Sequence, residues 1–179
     1  AHEDQKFGLS VSTGAARRTI DAIMAAEELE LAGLHSHIGS QILDLAGFRE
    51  AVGVVLGLRH EIAVDTGHLC PEIDLGGGYG IAYTGADPVA PSPAQVARAL
   101  AEAVRETCER LGDEVPTVSI EPGRAVAGPT TVTLYTVTGL KRVELGAGAS
   151  RLYVSIDGGM SDNIRPALYE AAYTALVAN

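Results

Sequence analysis

From residue 6 to residue 128 short apolar runs alternate with longer stretches of helical spacing. No other feature constrains the fold as much. Consecutive strands joined by helical crossovers must lie parallel in one sheet, with helices packed over it. The runs predict strands over 6–9, 31–38, 72–75 and 117–120. Apolar residues at Ile20, Ile23 and Met24 predict a helix over 15–28, with Ser12 or Thr13 as its cap. A second helix is expected over 45–64, from Phe48, Val52, Val55, Leu56 and Leu58. A third runs from Ser92-Pro93 to Leu111, with Val96, Leu100 and Val104 on its apolar side, Pro93 in its first turn and Gly112 beyond its end. Pro88, Pro91 and Pro93 make residues 79–93 a long irregular loop.

After Gly128-Pro129 the texture changes. Residues 130–143 are rich in Thr, Val and Tyr with rough alternation, a β signature. Gly146 to Ser150 reads as a loop, 151–156 as another strand, and 164–175 as partly helical. A domain boundary is therefore placed at 128/129, leading from an α/β unit (1–128) into an antiparallel β region (129–179). Residue 1 is not Met and the last residues stop inside an apolar pattern, which reads as a segment of a longer enzyme.

Composition narrows the class. Hydrophobic residues are 46% of the chain but aromatics only 4%, and Trp is absent, so the core must rest on Ala, Val, Leu and Ile. The net charge of −10 comes without a Lys/Arg cluster, which argues against a nucleic-acid partner. No stretch reaches the roughly 18 apolar residues of a membrane span, and the polar amino end is no signal peptide. Cys70 and Cys108 match no zinc spacing and are too few for a disulfide scaffold. Free thiols in a cytoplasmic protein are expected.

Four polar or glycine-rich clusters follow strands, and in parallel sheets ligands sit at the carboxyl ends of strands. Asp74-Leu75-Gly76-Gly77-Gly78-Tyr79-Gly80 can offer bare backbone N–H groups to an anion, or can be merely a sharp turn. It is not a dinucleotide fingerprint, because Ile81 stands where a third glycine is needed. His35 and His37 lie two apart on one expected strand and so on one face. They read as one ring-stacking or hydrogen-bonding histidine and one core histidine, with no metal expected. Glu121, followed by Pro122-Gly123-Arg124, could pair with Arg124 as a surface ion pair, or could meet a pyridinium nitrogen while Arg124 meets an anion. Arg165 and Tyr169, i and i+4 on a helix, suit a carboxylate grip.

Taken together, His35-Ser36-His37-Ile38-Gly39-Ser40-Gln41, Asp74-Leu75-Gly76-Gly77-Gly78, Glu121-Pro122-Gly123-Arg124 and Asp157-Gly158-Gly159-Met160-Ser161-Asp162-Asn163 resemble the fold-type III (alanine-racemase-like) pyridoxal-phosphate decarboxylases. The second and third motifs are shared across ornithine and arginine decarboxylases. The first and fourth are similar to the diaminopimelate branch. The resemblance covers about residues 6 to 173. It implies a (β/α)₈ barrel followed by a β domain, of which this chain would hold the last four barrel strands and the opening of the β domain. It implies pyridoxal 5′-phosphate as cofactor and conversion of meso-diaminopimelate to L-lysine and CO2, in a homodimer whose partner subunit completes the site. His37 would stack on the cofactor ring. Ser40, Gly77 and Gly78 would bind its phosphate, with Gly123 and Arg124 nearby, and Glu121 would pair with the ring nitrogen. Arg124, Arg165 and Tyr169 would bind the distal end of the substrate.

Two departures accompany the resemblance. The family holds its cofactor covalently on a lysine near the end of an early barrel strand, and neither Lys6 nor Lys141 matches. The family's Cys-Glu pair from late in the β domain has no counterpart in Cys70 or Cys108. The chain by itself is therefore expected to be inactive. Three alternatives stand beside the first reading. One is a related decarboxylase of arginine, ornithine or a polyamine precursor. A second is a non-catalytic ligand-binding barrel. The third is a metal-dependent hydrolase using His35, His37, Glu121 and Asp157.

Overall fold

A computed structural model describes residues 8–178. In chain order the elements are α1 (Ala15–Met24), β1 (Gly33–His35), α2 (Ala46–Thr66), β2 (Glu72–Asp74), α3 (Pro93–Leu111), β3 (Thr117–Ser119), α4 (Gly123–Ala127), β4 (Val137–Gly146), β5 (Ala149–Ile156) and α5 (Arg165–Tyr169). The described chain divides into two compact units: residues up to Ala82 with Asp87–Pro129, and Tyr83–Ala86 with the residues from Thr130 onward.

In the first unit β1, β2 and β3 form one parallel sheet in that order. Gly33, Leu34 and His35 pair with Glu72, Ile73 and Asp74, which pair in turn with Thr117, Val118 and Ser119. Side chains alternate across a strand. Ile73 therefore turns toward the helices, while His35, Asp74 and Ser119 share the opposite face. Ile73 and Leu75 pack with Phe48, Val52, Val55 and Leu56 of α2 and Val96, Leu100, Val104 and Cys108 of α3. A second cluster joins Ala16 and Ile20 of α1 to Leu31, Leu58, Ile62 and Cys70. With no Trp and little Phe, these small aliphatic residues carry the interior.

Arg59 of α2 is buried to 2% exposure, yet its guanidinium finds backbone partners. Its Nε donates to the Cys70 carbonyl at 2.6 Å and its Nη1 to the Glu114 carbonyl at 3.0 Å. One side chain thereby ties together the two loops that lead into β2 and β3, satisfying carbonyls that burial would otherwise penalise.

Several expectations are corrected. Lys6 and Phe7 lie outside the described residues, and Gly8 and Leu9 are not in a strand. The second strand is confined to Gly33–His35: the Ser36 N–H still reaches the Asp74 carbonyl at 2.9 Å, and the chain then turns away through Gly39 and Gln41, both at positive φ. α1 stops at Met24. The Glu121–Arg124 turn opens a short helix, α4. β4 begins only at Val137, and the Gly146–Ser150 loop is a tight hairpin. Ala147 and Gly148 both take positive φ, 51° and 76°, the two-residue turn whose twist suits antiparallel strands. The stretch 164–175, expected to be partly helical, is helical over Arg165–Tyr169.

Candidate active site at the strand ends

The register decides what meets at the carboxyl ends of the strands. His35 and Asp74 are direct partners, and Glu121 lies two residues past Ser119, the partner of Asp74. Period two and a strand spacing of about 4.8 Å bring all three side chains to one side. Their ligand atoms lie within 4.8 Å of one another. His35 Nε2 is 3.3 Å from Glu121 Oε2, and both side chains are about half exposed, 53% and 55%. His35 is thus no core histidine, and Glu121 is paired with it rather than with Arg124. Asp74 also anchors the glycine motif that it opens. Its Oδ1 accepts the Gly76 N–H at 2.8 Å.

His37 lies beyond β1 and does not share a strand face with His35. Its Nδ1 accepts the Gly77 N–H at 3.3 Å. A neutral His37 therefore carries its proton on Nε2, with the ring tethered to the glycine loop and its side chain exposed.

The glycines answer a packing demand. A Cβ at Gly76 would run into the Ser36 carbonyl, at Gly77 into the Glu121 carbonyl, and at Gly78 into the Gly39 carbonyl. The loop after β2 is thus wedged between the loops after β1 and β3, and Gly76 and Gly78 also take positive φ, 66° and 93°. Main-chain bonds lock it there, Ile42 N–H to the Gly78 carbonyl at 2.9 Å and Glu121 N–H to the Gly76 carbonyl at 2.8 Å. The Gly78 N–H has no partner among the described residues. Beneath this loop Tyr79 stacks on Phe48 with centroids 4.8 Å apart. Burial, and secondarily the charge of Asp74, push the Tyr79 phenol above its ordinary pKa. The hydroxyls of Tyr79 and Ser36 are buried without a hydrogen-bond partner among the described residues.

Arg124 leaves α4 toward the loop after β1. Its Nη2 donates to Ser40 Oγ at 2.9 Å and its Nη1 to Gln41 Oε1 at 3.4 Å. Ser40, Gly77, Gly78, Gly123 and Arg124 thus belong to two adjoining loops and the first turn of α4, a cradle of bare backbone with a cation at its side. That donor set fits a phosphate monoester. His37 and Glu121 on the same loops offer a ring face and a carboxylate, so the residues present fit pyridoxal phosphate. His35, Asp74 and Glu121 could also ligate a divalent cation. Within the first unit the third possible ligand beside His35 and Glu121 is Asp74 and not His37.

In the second unit the Arg165 guanidinium carbon lies 5.3 Å from the Tyr169 ring centroid, the i, i+4 contact expected of neighbours on one helical face. The Asp157 carboxylate accepts the Thr136 N–H at 2.8 Å. Hydrogen bonds from Thr136 hold the Asp157 carboxyl below the usual carboxylate range, so Asp157 closes the open end of the hairpin. Gly158 packs beneath the Tyr135 ring, which a side chain there would displace.

Residues 1–128 match the family profile described as "Pyridoxal-dependent decarboxylase, pyridoxal binding domain". The chain is 52% identical over 177 residues to a diaminopimelate decarboxylase of Corynebacterium efficiens, covering 99% of this chain and 38% of the relative. It is 42% identical to a diaminopimelate decarboxylase of Bacillus subtilis, over 99% of this chain and 39% of the relative. Among solved structures it superposes with TM-score 0.84 and 31% identity on a diaminopimelate decarboxylase from M. jannaschii in complex with L-lysine, covering 96% of this chain and 38% of that one. The chain thus spans less than two fifths of the length of these relatives.

Proposed function

This chain belongs to the pyridoxal-dependent decarboxylases, its first 128 residues matching their pyridoxal binding domain, and from that premise we propose that it is the cofactor-seating part of an enzyme converting meso-2,6-diaminopimelate to L-lysine and CO2. The observation that carries this reading is the meeting of three strand-end loops around Gly76-Gly77-Gly78, with His37, Glu121 and Arg124 at the same junction. The names of the relatives supply the substrate class.

Bound pyridoxal phosphate would supply an electron sink for the pair left behind when CO2 departs. The chain's own residues would do the rest. Ser40, Gly77, Gly78 and Gly123 would hold the phosphate, with the Arg124 guanidinium countering its charge. His37, tethered through Nδ1, would fix the plane of the ring. Glu121 would keep a proton on the ring nitrogen, since an adjacent carboxylate favours the charged form. Arg124, Arg165 and Tyr169 would take the distal ammonium-carboxylate end of the substrate, where an Arg fork matches a carboxylate.

Within this reading the parallel sheet is the closing part of a (β/α)₈ barrel, residues 129–179 open the β domain, and the active enzyme is a cytoplasmic homodimer. Free, buried Cys70 and Cys108 suit a reducing compartment. On this reading the cofactor lysine is neither Lys141, which sits in β4 opposite Tyr153, nor Lys6, whose sequence context does not match an early barrel strand.

The test is the full-length protein reconstituted with pyridoxal phosphate. It should release lysine and CO2 from meso-diaminopimelate, and Glu121→Gln should lower kcat by on the order of 100-fold while cofactor binding persists. Faster turnover of ornithine or arginine would move the substrate assignment. Unchanged turnover in the variant would remove Glu121 from its role.

A further inference from the structure

Gln41 joins three loops with one side chain. Its Nε2 donates to the Ile81 carbonyl at 2.5 Å and its Oε1 accepts the Ile81 N–H at 3.3 Å. The side-chain amide thus pairs with a peptide group as one strand pairs with another, one rung beyond the main-chain bridge between Ile42 and Tyr79. The same Oε1 accepts from Arg124 Nη1 at 3.4 Å. Its backbone is also unusual. With φ +60°, Gln41 is one of three non-glycine residues in the left-handed region among the described residues, a conformation that glycine adopts with less cost. A glycine would suit the backbone and would lose all three contacts.

We propose that Gln41 is a positioning residue for Arg124. One edge of its amide braces the segment that follows the glycine loop, and its carbonyl oxygen, with Ser40 Oγ, orients the guanidinium on the loop packed against Gly78. An arginine held at two of its nitrogens loses less freedom when it meets an anion, so affinity is gained by prior ordering. Gln41 itself need not touch the ligand. The proposal rests on the cofactor seat assigned above.

The test uses the full-length apoprotein and pyridoxine 5′-phosphate, an analogue without the aldehyde that bonds to lysine, with binding read by titration calorimetry. Gln41→Gly and Gln41→Ala should each raise Kd by about ten-fold, the scale of a lost hydrogen bond to a charged group. In an Arg124→Ala background Gln41→Gly should add no further loss. A merely structural role would behave otherwise: the glycine variant, freed of the left-handed penalty, would bind like wild type and only the alanine variant would weaken. Thermal melting of each variant identifies any loss that comes from unfolding. Wild-type affinity in both variants, or an equal loss with and without Arg124, overturns the proposal. If the wild-type protein binds no analogue at all, the cofactor seat itself falls and this inference with it. A wild type that binds beside indifferent Gln41 variants overturns the inference alone.

Discussion

Gly77 has no room for a side chain. The Cβ of an alanine there would overlap the Glu121 carbonyl, and that carbonyl also accepts the Gly123 N–H at 2.8 Å, so it cannot swing away freely. Gly77→Ala should destabilise the chain by about 1–3 kcal/mol, the range for overpacking. It should also shift Glu121 relative to His35. Chemical denaturation measures the first effect, and an unchanged midpoint would show that the β3 loop gives way. Cys70 and Cys108 are 0% and 1% exposed, and burial pushes both thiols above their usual pKa. Their folded-state pKa values exceed the unfolded value of about 8.5. The unfolded chain therefore releases protons first as pH rises, and stability should fall above that pH. Melting temperature followed from neutral to alkaline pH tests this. The double Cys→Ala variant should lose part of the slope, and native protein should resist alkylation until it unfolds.

At the scale of elements, α3 was the most legible. Ser92 Oγ accepts the Gln95 N–H at 3.3 Å, Gln95 Oε1 accepts the Ser92 N–H at 2.8 Å, and Pro93 follows the cap. Gly112 closes the helix at φ 76°. Each of these signals is local and needs no knowledge of the fold. Ser92→Ala should cost about 1 kcal/mol, measured as a shift in denaturation midpoint; a neutral result would mean that the box is dispensable beside the packing of α3 on α2. The strands were harder to delimit. Residues 31–38 read as one apolar run, but only Gly33–His35 pair, because whether a residue joins a ladder depends on a neighbour far away in sequence. The short helix α4 was hidden for a similar reason. Pro122-Gly123 reads as a turn, but the chain runs on as helix, with the Val126 N–H bonded to the Pro122 carbonyl and the Gly128 N–H to the Arg124 carbonyl.

For the molecule as a whole, the edges of the sheet matter most. Among the described residues β3 is paired on one side only, with β2, and Val118 and Ile120 beside that edge are 40% and 42% exposed. In the second unit every residue of β5 is exposed. Unpaired edges flanked by apolar side chains invite strand addition. The 179-residue chain alone should therefore self-associate, seen as a concentration-dependent mass in light scattering, and Val118→Lys should reduce the effect. A monodisperse monomer would mean that these edges are protected in some other way. No described helix is long and apolar enough to cross a membrane, so the exposed apolar surface is not that of a spanning helix.

The alternation of strand and helix, the Ser92-Pro93 start and Gly112 end of α3, and the order of the chemical motifs were all legible along the chain. Those features are written in residues near one another, through side-chain period and backbone preference. The sequence also put Glu121 and Arg124 just past an expected strand, but His37 inside one. Only the tertiary structure decided which of them meet. Parallel register set His35 beside Asp74 and brought Glu121 to both, while wedging of the three loops explained why Gly76, Gly77 and Gly78 carry no side chains. Gln41 shows the difference at one residue. In sequence it was the last letter of a motif; in the fold its left-handed backbone and its amide join Ile81 to Arg124, across separations that no local pattern records.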